Sequence, residues 1–95
     1  MGGENNIRMF VRHQVNDFAT WEKEYNDFKS EGLKMGVLGE SVFQGIEDPN
    51  DVTVTHDFST MEEAQAFLSS ESLKSAMQAS GVAGEPTIWF TKMGS

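Results

Sequence analysis

The chain has 95 residues, and its 15 acidic and 7 basic side chains give a net charge of −8. This length supports one domain with a modest core, and the acidic balance disfavours nucleic acid and anionic membranes as partners. The absence of cysteine excludes disulfides, thiolate zinc sites and cysteine nucleophiles. No apolar run approaches the roughly 20 residues of a membrane span and no signal peptide opens the chain, so we expect a cytoplasmic protein.

Residues 7–93 are predicted to form a single domain, with flexible ends at 1–6 and 94–95. The first element is a strand over residues 7–15, because apolar and polar side chains alternate there with a period of two. One face of this strand carries an unusual polar member, His13, among Ile7, Met9, Val11 and Val15. The opposite face carries Arg8, Phe10, Arg12 and Gln14.

An amphipathic helix is predicted next, capped by Asn16 or Asp17. Its apolar stripe has helical spacing and consists of Phe18, Trp21, Tyr25 and Phe28. The stripe can continue past Gly32 to Met35, with a kink or break at the glycine.

A hairpin of two strands follows, joined by a turn over residues 48–51. The first strand is predicted within residues 37–47, where Val42, Gln44 and Ile46 alternate with Phe43 and Gly45. The second strand covers residues 51–58 and places His56 on the same face as Val52, Val54 and Phe58.

The second helical region is predicted to be split. Thr60 and Glu63 fit a capping box in which each residue bonds the backbone of the other. Ser70 can start a second helix, which Gly81 ends. Residues 84–86 are predicted to turn the chain before a last strand over residues 87–93.

The order β-α-β-β-α-β predicts an α+β, ferredoxin-like sandwich with a four-stranded antiparallel sheet in the order 4-1-3-2. Both helical regions would cover one face of the sheet. The other face carries Phe10 and Phe43, so we expect a homodimer in which two copies pack sheet to sheet through Arg8, Phe10, Arg12, Thr53 and Thr55.

Three segments carry a resemblance to a known family. They read His13-x-Val15-x-Asp17-Phe18-x-x-Trp21, Ala64-x-x-Phe67-Leu68-x-Ser70-x-x-Leu73-Lys74 and Gly81-Val82-x-Gly84-Glu85-Pro86. Together they resemble the antibiotic biosynthesis monooxygenase-like family of the dimeric α/β-barrel superfamily, over nearly the whole chain. The resemblance implies a dimeric α/β barrel, and the superfamily hosts several chemistries. These include cofactor-free quinone-forming monooxygenases, haem-degrading enzymes, muconolactone isomerases and polyketide cyclases.

No cofactor is expected. The haem-degrading relatives use a histidine in the second helical region as the iron ligand, and residues 60–80 contain no histidine. A glycine-rich phosphate loop for flavin or nicotinamide is also absent from the sequence. A metal held jointly by His13 and His56 is disfavoured, because plausible registers leave the two residues roughly 7–13 Å apart along the sheet.

His13 and His56 are the candidate catalytic residues. His13 is interpreted either as a core histidine bonded to a carbonyl or to Asp17, or as a general base in a pocket. Trp21 and Tyr25 are core residues that can also wall that pocket and bind substrate. The position of Trp89 stays open between the pocket and the dimer face.

Two functions compete. The first is a cofactor-independent monooxygenase, or a cyclase or isomerase, acting on a small aromatic or polyketide-like substrate with His13 as the base. The second is a non-catalytic, small-ligand-binding or stress-related dimer that holds a small apolar or aromatic molecule. A closed core with both histidines bonded by protein would instead indicate a purely structural role.

Overall fold

The computed structural model describes residues 6–93, so the flexible ends expected at 1–6 and 94–95 lie, except for Asn6, outside the described residues. The elements are β1 (Ile7–Val15), α1 (Phe18–Lys34), β2 (Gly39–Gln44), β3 (Asp51–Phe58), α2 (Met61–Leu68), α3 (Glu71–Ala79) and β4 (Val82–Lys92). No helix among these residues has the length and apolar character to cross a membrane.

The sheet is antiparallel with the order β2-β3-β1-β4, which confirms the predicted ferredoxin-like topology. β1 and β3 also have the predicted bounds, since their alternation is regular from end to end. The helices cover the face that carries the core, whose fully buried side chains include Met9, Val52, Phe58 and Phe67. Burial of this apolar face is the main stabilising contribution to the fold.

The helix starts and stops follow the predicted chemistry. Asp17 caps α1 by accepting from the backbone N–H of Thr20, and Ser70 caps α3 in the same way, which splits the second helical region as expected. α1 runs through Gly32 without a break, and the buried glycine lies against the side chain of Val37. The chain leaves α1 at Gly36, whose φ of 98° is one that glycine adopts without strain.

Half of the predicted capping box is wrong. Thr60 Oγ1 accepts from the backbone N–H of Glu63 at 3.1 Å, but the Glu63 carboxylate makes no return bond to Thr60. It lies instead over Gly36, where the absence of a side chain leaves room for it. The cap therefore rests on the threonine alone.

Two strand bounds differ from the prediction. β2 ends at Gln44, because Gly45 closes the hairpin onto Asp51 and leaves Ile46 fully exposed. β4 begins at Val82 rather than at residue 87, because the chain pairs again with the end of β1 beyond Gly84. The predicted turn at residues 84–86 is thus a bulge-like irregularity inside one long strand. The three residues 84–86 of β4 lie opposite the single residue His13 of β1.

Candidate functional site

His13 lies near the end of β1 on the helix-covered face of the sheet. Its side chain is buried, and neither ring nitrogen has a hydrogen-bond partner among the described residues. Asp17, the partner expected for a structural histidine, uses its carboxylate to cap α1 by accepting from Thr20. The structure therefore lacks the hydrogen bond on which the structural interpretation of His13 depends.

A row of rings runs from His13 to His56 beneath α1. The centroid distances are 5.6 Å from His13 to Trp21, 4.9 Å from Trp21 to Tyr25 and 6.2 Å from Tyr25 to His56. The ring of His56 also contacts the ring of Phe67 in α2, with a centroid distance of 5.0 Å. The helical spacing of Trp21 and Tyr25 places them one turn apart, which is why both rings reach the same row.

An apolar cavity of about 90 Å³ lies between the sheet, α1 and the α2–α3 pair. His13, His56 and Tyr25 all line it, so the structure brings three of the predicted site residues together. Glu24 and Ser80 are the other polar members of the wall. The remaining lining residues are apolar: Met9, Val11, Phe28, Val54, Phe67, Leu68, Leu73, Ala76, Met77, Pro86 and Ile88.

The two tryptophans lie elsewhere. Trp21 is buried behind the cavity wall, where it packs on His13 and Tyr25. Trp89 lies on the opposite face of the sheet and stacks on Phe10 at a centroid distance of 5.0 Å. Of the two positions left open for Trp89, the structure therefore has the sheet face opposite the helices, and Trp89 does not line this cavity.

Glu40 is a site residue that the sequence analysis missed. The Tyr25 hydroxyl donates to Glu40 Oε1 at 2.5 Å, and the same oxygen lies 3.5 Å from His56 Nε2. Burial, helped by the bond to Glu40 and by its charge, raises the pKa of Tyr25 well above its ordinary range. Glu40 shares strand parity with Val42, but only the register that pairs it with His56 reveals the contact.

Burial disfavours the charged form of both histidines. Burial lowers the pKa of His13 below its ordinary value of 6.5. Burial also lowers the pKa of His56, although the negative charges of Glu40 and Asp57 oppose the effect. A neutral imidazole keeps a nitrogen lone pair that can accept a proton. Within residues 6–93, no group of three or more His, Asp and Glu side chains could hold a metal ion.

The sheet face opposite the helices carries a second group of residues. Phe43 and Trp89 are exposed there, beside two bidentate ion pairs. Arg8 pairs with Asp57, its register partner on β3, and Arg12 pairs with Asp51. No element of the described chain covers this face.

The sequence matches no protein-family model and no curated protein. The fold does match solved structures. A "Putative antibiotic biosynthesis monooxygenase" from Bordetella bronchiseptica superposes with a TM-score of 0.84 at 16% identity, over 96% of this chain and 99% of that one. A protein of the same description from Caulobacter crescentus CB15 gives 0.78 at 17% identity, over 98% and 93%.

A third structure is SnoaB, described as a cofactor-independent oxygenase from Streptomyces nogalater. It superposes with a TM-score of 0.72 at 10% identity, over 96% of this chain and 93% of that one. These comparisons confirm the resemblance to the antibiotic biosynthesis monooxygenase-like family at the level of the fold. At such identities the likeness extends to the fold alone, so function depends on the residues of the cavity.

Proposed function

We propose that this protein is a cofactor-independent monooxygenase that oxidises a small aromatic or polyketide-like hydroxyl compound in the cavity. The observation that carries the proposal is His13, whose two ring nitrogens are buried without partners among the described residues in a mostly apolar wall. A buried polar group without a partner costs about 1–3 kcal/mol, and a ligand hydroxyl would supply the missing bond. The oxygenase description of SnoaB, which shares the fold, adds support.

His13 would act as the base. It removes the proton of the substrate hydroxyl, and the electron-rich anion that results reduces O₂. One oxygen atom enters the ring as a quinone carbonyl, and the other leaves as water with the two hydrogens that the substrate gives up. Because burial lowers the pKa of His13, the base is weak. The substrate hydroxyl must therefore be acidic, such as one conjugated to a carbonyl in a polyketide-like ring.

The size of the cavity bears on how a substrate would enter. A volume of about 90 Å³ is smaller than the roughly 150 Å³ of an apolar cavity that binds benzene. An aromatic ring would therefore displace part of the wall. α3 is the candidate, because none of its residues is fully buried and it contributes Leu73, Ala76 and Met77 to the cavity.

Oxygen consumption with hydroxylated polycyclic aromatics tests the proposal. The wild type should consume O₂ and form a quinone, and His13→Ala should reduce the rate by about 100-fold or more, as expected for the loss of a general base. Gln65→Ala, at an exposed position of α2, serves as the control and should keep the wild-type rate. Uptake no faster than autoxidation, or equal rates in wild type and His13→Ala, contradicts the proposal. Product analysis separates oxygenation from isomerisation or cyclisation.

The second candidate is a small-ligand-binding protein without turnover. The almost wholly apolar wall favours it, because such a cavity can bind an aromatic molecule without any chemistry. In that case aromatic ligands would perturb the NMR signals of His13 and Tyr25 while O₂ and the ligand stay unchanged. In either case the protein would act as a homodimer through the sheet face that carries Phe10 and Trp89.

A further inference from the structure

Glu40 and His56 face each other across β2 and β3. They are register partners, so their side chains leave the sheet on the same face and side by side. His56 Nε2 lies 3.5 Å from Glu40 Oε1. The same carboxylate oxygen accepts a hydrogen bond from the Tyr25 hydroxyl, with an oxygen–oxygen distance of 2.5 Å. The carboxylate is thus held between the helix and the neighbouring strand, and its position relative to the imidazole is fixed.

The charge of Glu40 decides which nitrogen of His56 carries the hydrogen. An Nε2–H directed at a carboxylate oxygen is attracted to it, whereas an Nε2 lone pair in the same place is repelled. This choice does not require an ideal hydrogen bond, because the electrostatic preference still acts at 3.5 Å. The hydrogen on Nε2 leaves the lone pair on Nδ1, which is buried and has no partner among the described residues.

We infer that Glu40 is a positioning residue, which holds His56 in the Nε2–H tautomer and keeps Nδ1 as a hydrogen-bond acceptor for a molecule in the cavity. The inference rests on the proposed function only in taking the cavity to be a ligand site. It extends that function, since the cavity then has a second acceptor besides His13. The two differ because neither ring nitrogen of His13 has a hydrogen-bond partner among the described residues.

The surroundings of His56 contain few competing groups. β1 places Met9 opposite it in register, and α2 contributes the ring of Phe67. Tyr25 is the titratable contact from α1, and its hydroxyl is already committed to Glu40. Asp57, the next residue of the same strand, is bonded to Arg8 on the opposite face. Glu40 is thus the charged side chain that contacts the imidazole.

Nitrogen-15 NMR of the histidine side chains tests the inference without any substrate. In the wild type, His56 should show a protonated Nε2 and an unprotonated Nδ1, whereas His13 should show no such fixed preference. A His56 imidazole that carries its hydrogen on Nδ1 overturns the inference. This result needs no variant, so it stands even if a substitution at residue 40 prevents folding.

Glu40→Gln removes the charge and keeps the shape of the side chain. The fraction of His56 in the Nε2–H tautomer should fall, and the pKa of His56 should fall as well, because the attractive charge is gone. Tyr25→Phe keeps the charge and should keep the tautomer. The matched control is Glu47→Gln, the same substitution at an exposed position, which should change neither. A tautomer unchanged in Glu40→Gln overturns the inference.

The failure of this inference is distinguishable from failure of the proposed function. A fixed Nε2–H tautomer together with no oxygen uptake leaves Glu40 as a positioning residue and rejects the oxygenase. Oxygen uptake together with a mixed His56 tautomer supports the oxygenase and rejects the role of Glu40.

Discussion

His13 and His56 lie on adjacent strands, four register positions apart. His13 pairs with Val52 and His56 with Met9, which separates them by about 13 Å along the strands at 3.3 Å per residue. This is the upper end of the separation that the sequence predicts, and it is too long for one metal ion or one proton to be shared. The two imidazoles therefore line separate parts of the cavity, His13 without a hydrogen-bond partner among the described residues and His56 beside the carboxylate of Glu40.

The first prediction concerns the effect of His13 on stability. Replacing His13 by Phe removes two buried nitrogens that have no partners and keeps a planar ring beside a cavity that can accommodate it. We expect the free energy of unfolding to stay unchanged or to rise by about 1 kcal/mol, in urea denaturation. The control Met9→Ala, at a fully buried position, should lower it by about 2–5 kcal/mol. A large destabilisation by His13→Phe would indicate that His13 has a structural role.

The second prediction concerns pH. Burial lowers the pKa of both histidines in the folded protein, whereas the unfolded chain regains the ordinary value of 6.5. Below about pH 6.5 the unfolded state therefore binds more protons, and the free energy of unfolding should decrease as pH falls. The slope is at most about 1.4 kcal/mol per pH unit for each histidine. Urea denaturation between about pH 5.5 and 7 should show that the free energy of unfolding depends less steeply on pH in His13→Phe than in the wild type. An equal pH dependence would contradict a lowered pKa of His13 in the folded protein.

Regular alternation explains how much of the fold the sequence predicts. β1 and β3 alternate without interruption, so their bounds, their faces and the side on which His13 and His56 lie follow from parity alone. The start of β4 does not follow from local sequence, because Gly84 and Pro86 are typical of turns. Their place inside a strand depends on pairing with the end of β1, which is a tertiary contact.

The candidate site is predictable only in part. His13 can be identified as a candidate from the sequence, because its imidazole interrupts the apolar face of β1. Glu40 has no such signal, because it lies at the start of a short strand between glycine and serine. Its contact with His56 arises from register, and a shift of one residue would turn it to the other face. The face of Trp89 likewise follows from its pairing with Phe10.

The third prediction tests the cavity itself. Ala76 of α3 lines the cavity, so Ala76→Leu should fill it with three additional carbon atoms. We expect the affinity for an aromatic probe such as 1-naphthol to fall at least tenfold in NMR titrations, while the urea midpoint changes little. Ala79→Leu, at an exposed position of the same helix, is the matched control and should bind the probe as the wild type does. Equal affinity in Ala76→Leu would place the binding site elsewhere.

The fourth prediction concerns the sheet face that no helix within residues 6–93 covers. Trp89 is 40% exposed and stacks on Phe10, and Phe43 on the same face is 55% exposed. Such a patch on a domain this small is typical of an interface, and a second copy packed sheet to sheet would bury it. We expect light scattering at micromolar concentration to give twice the chain mass of 10.6 kDa.

Trp89→Glu should dissociate the dimer, because it introduces an unpaired charge into the sheet face that the two copies bury against each other. Gln65→Glu adds the same charge at an exposed position of α2 and should leave the dimer intact. A wild-type protein with the mass of one chain would rule out this interface, and a dimer that survives Trp89→Glu would mean that the copies meet through another surface.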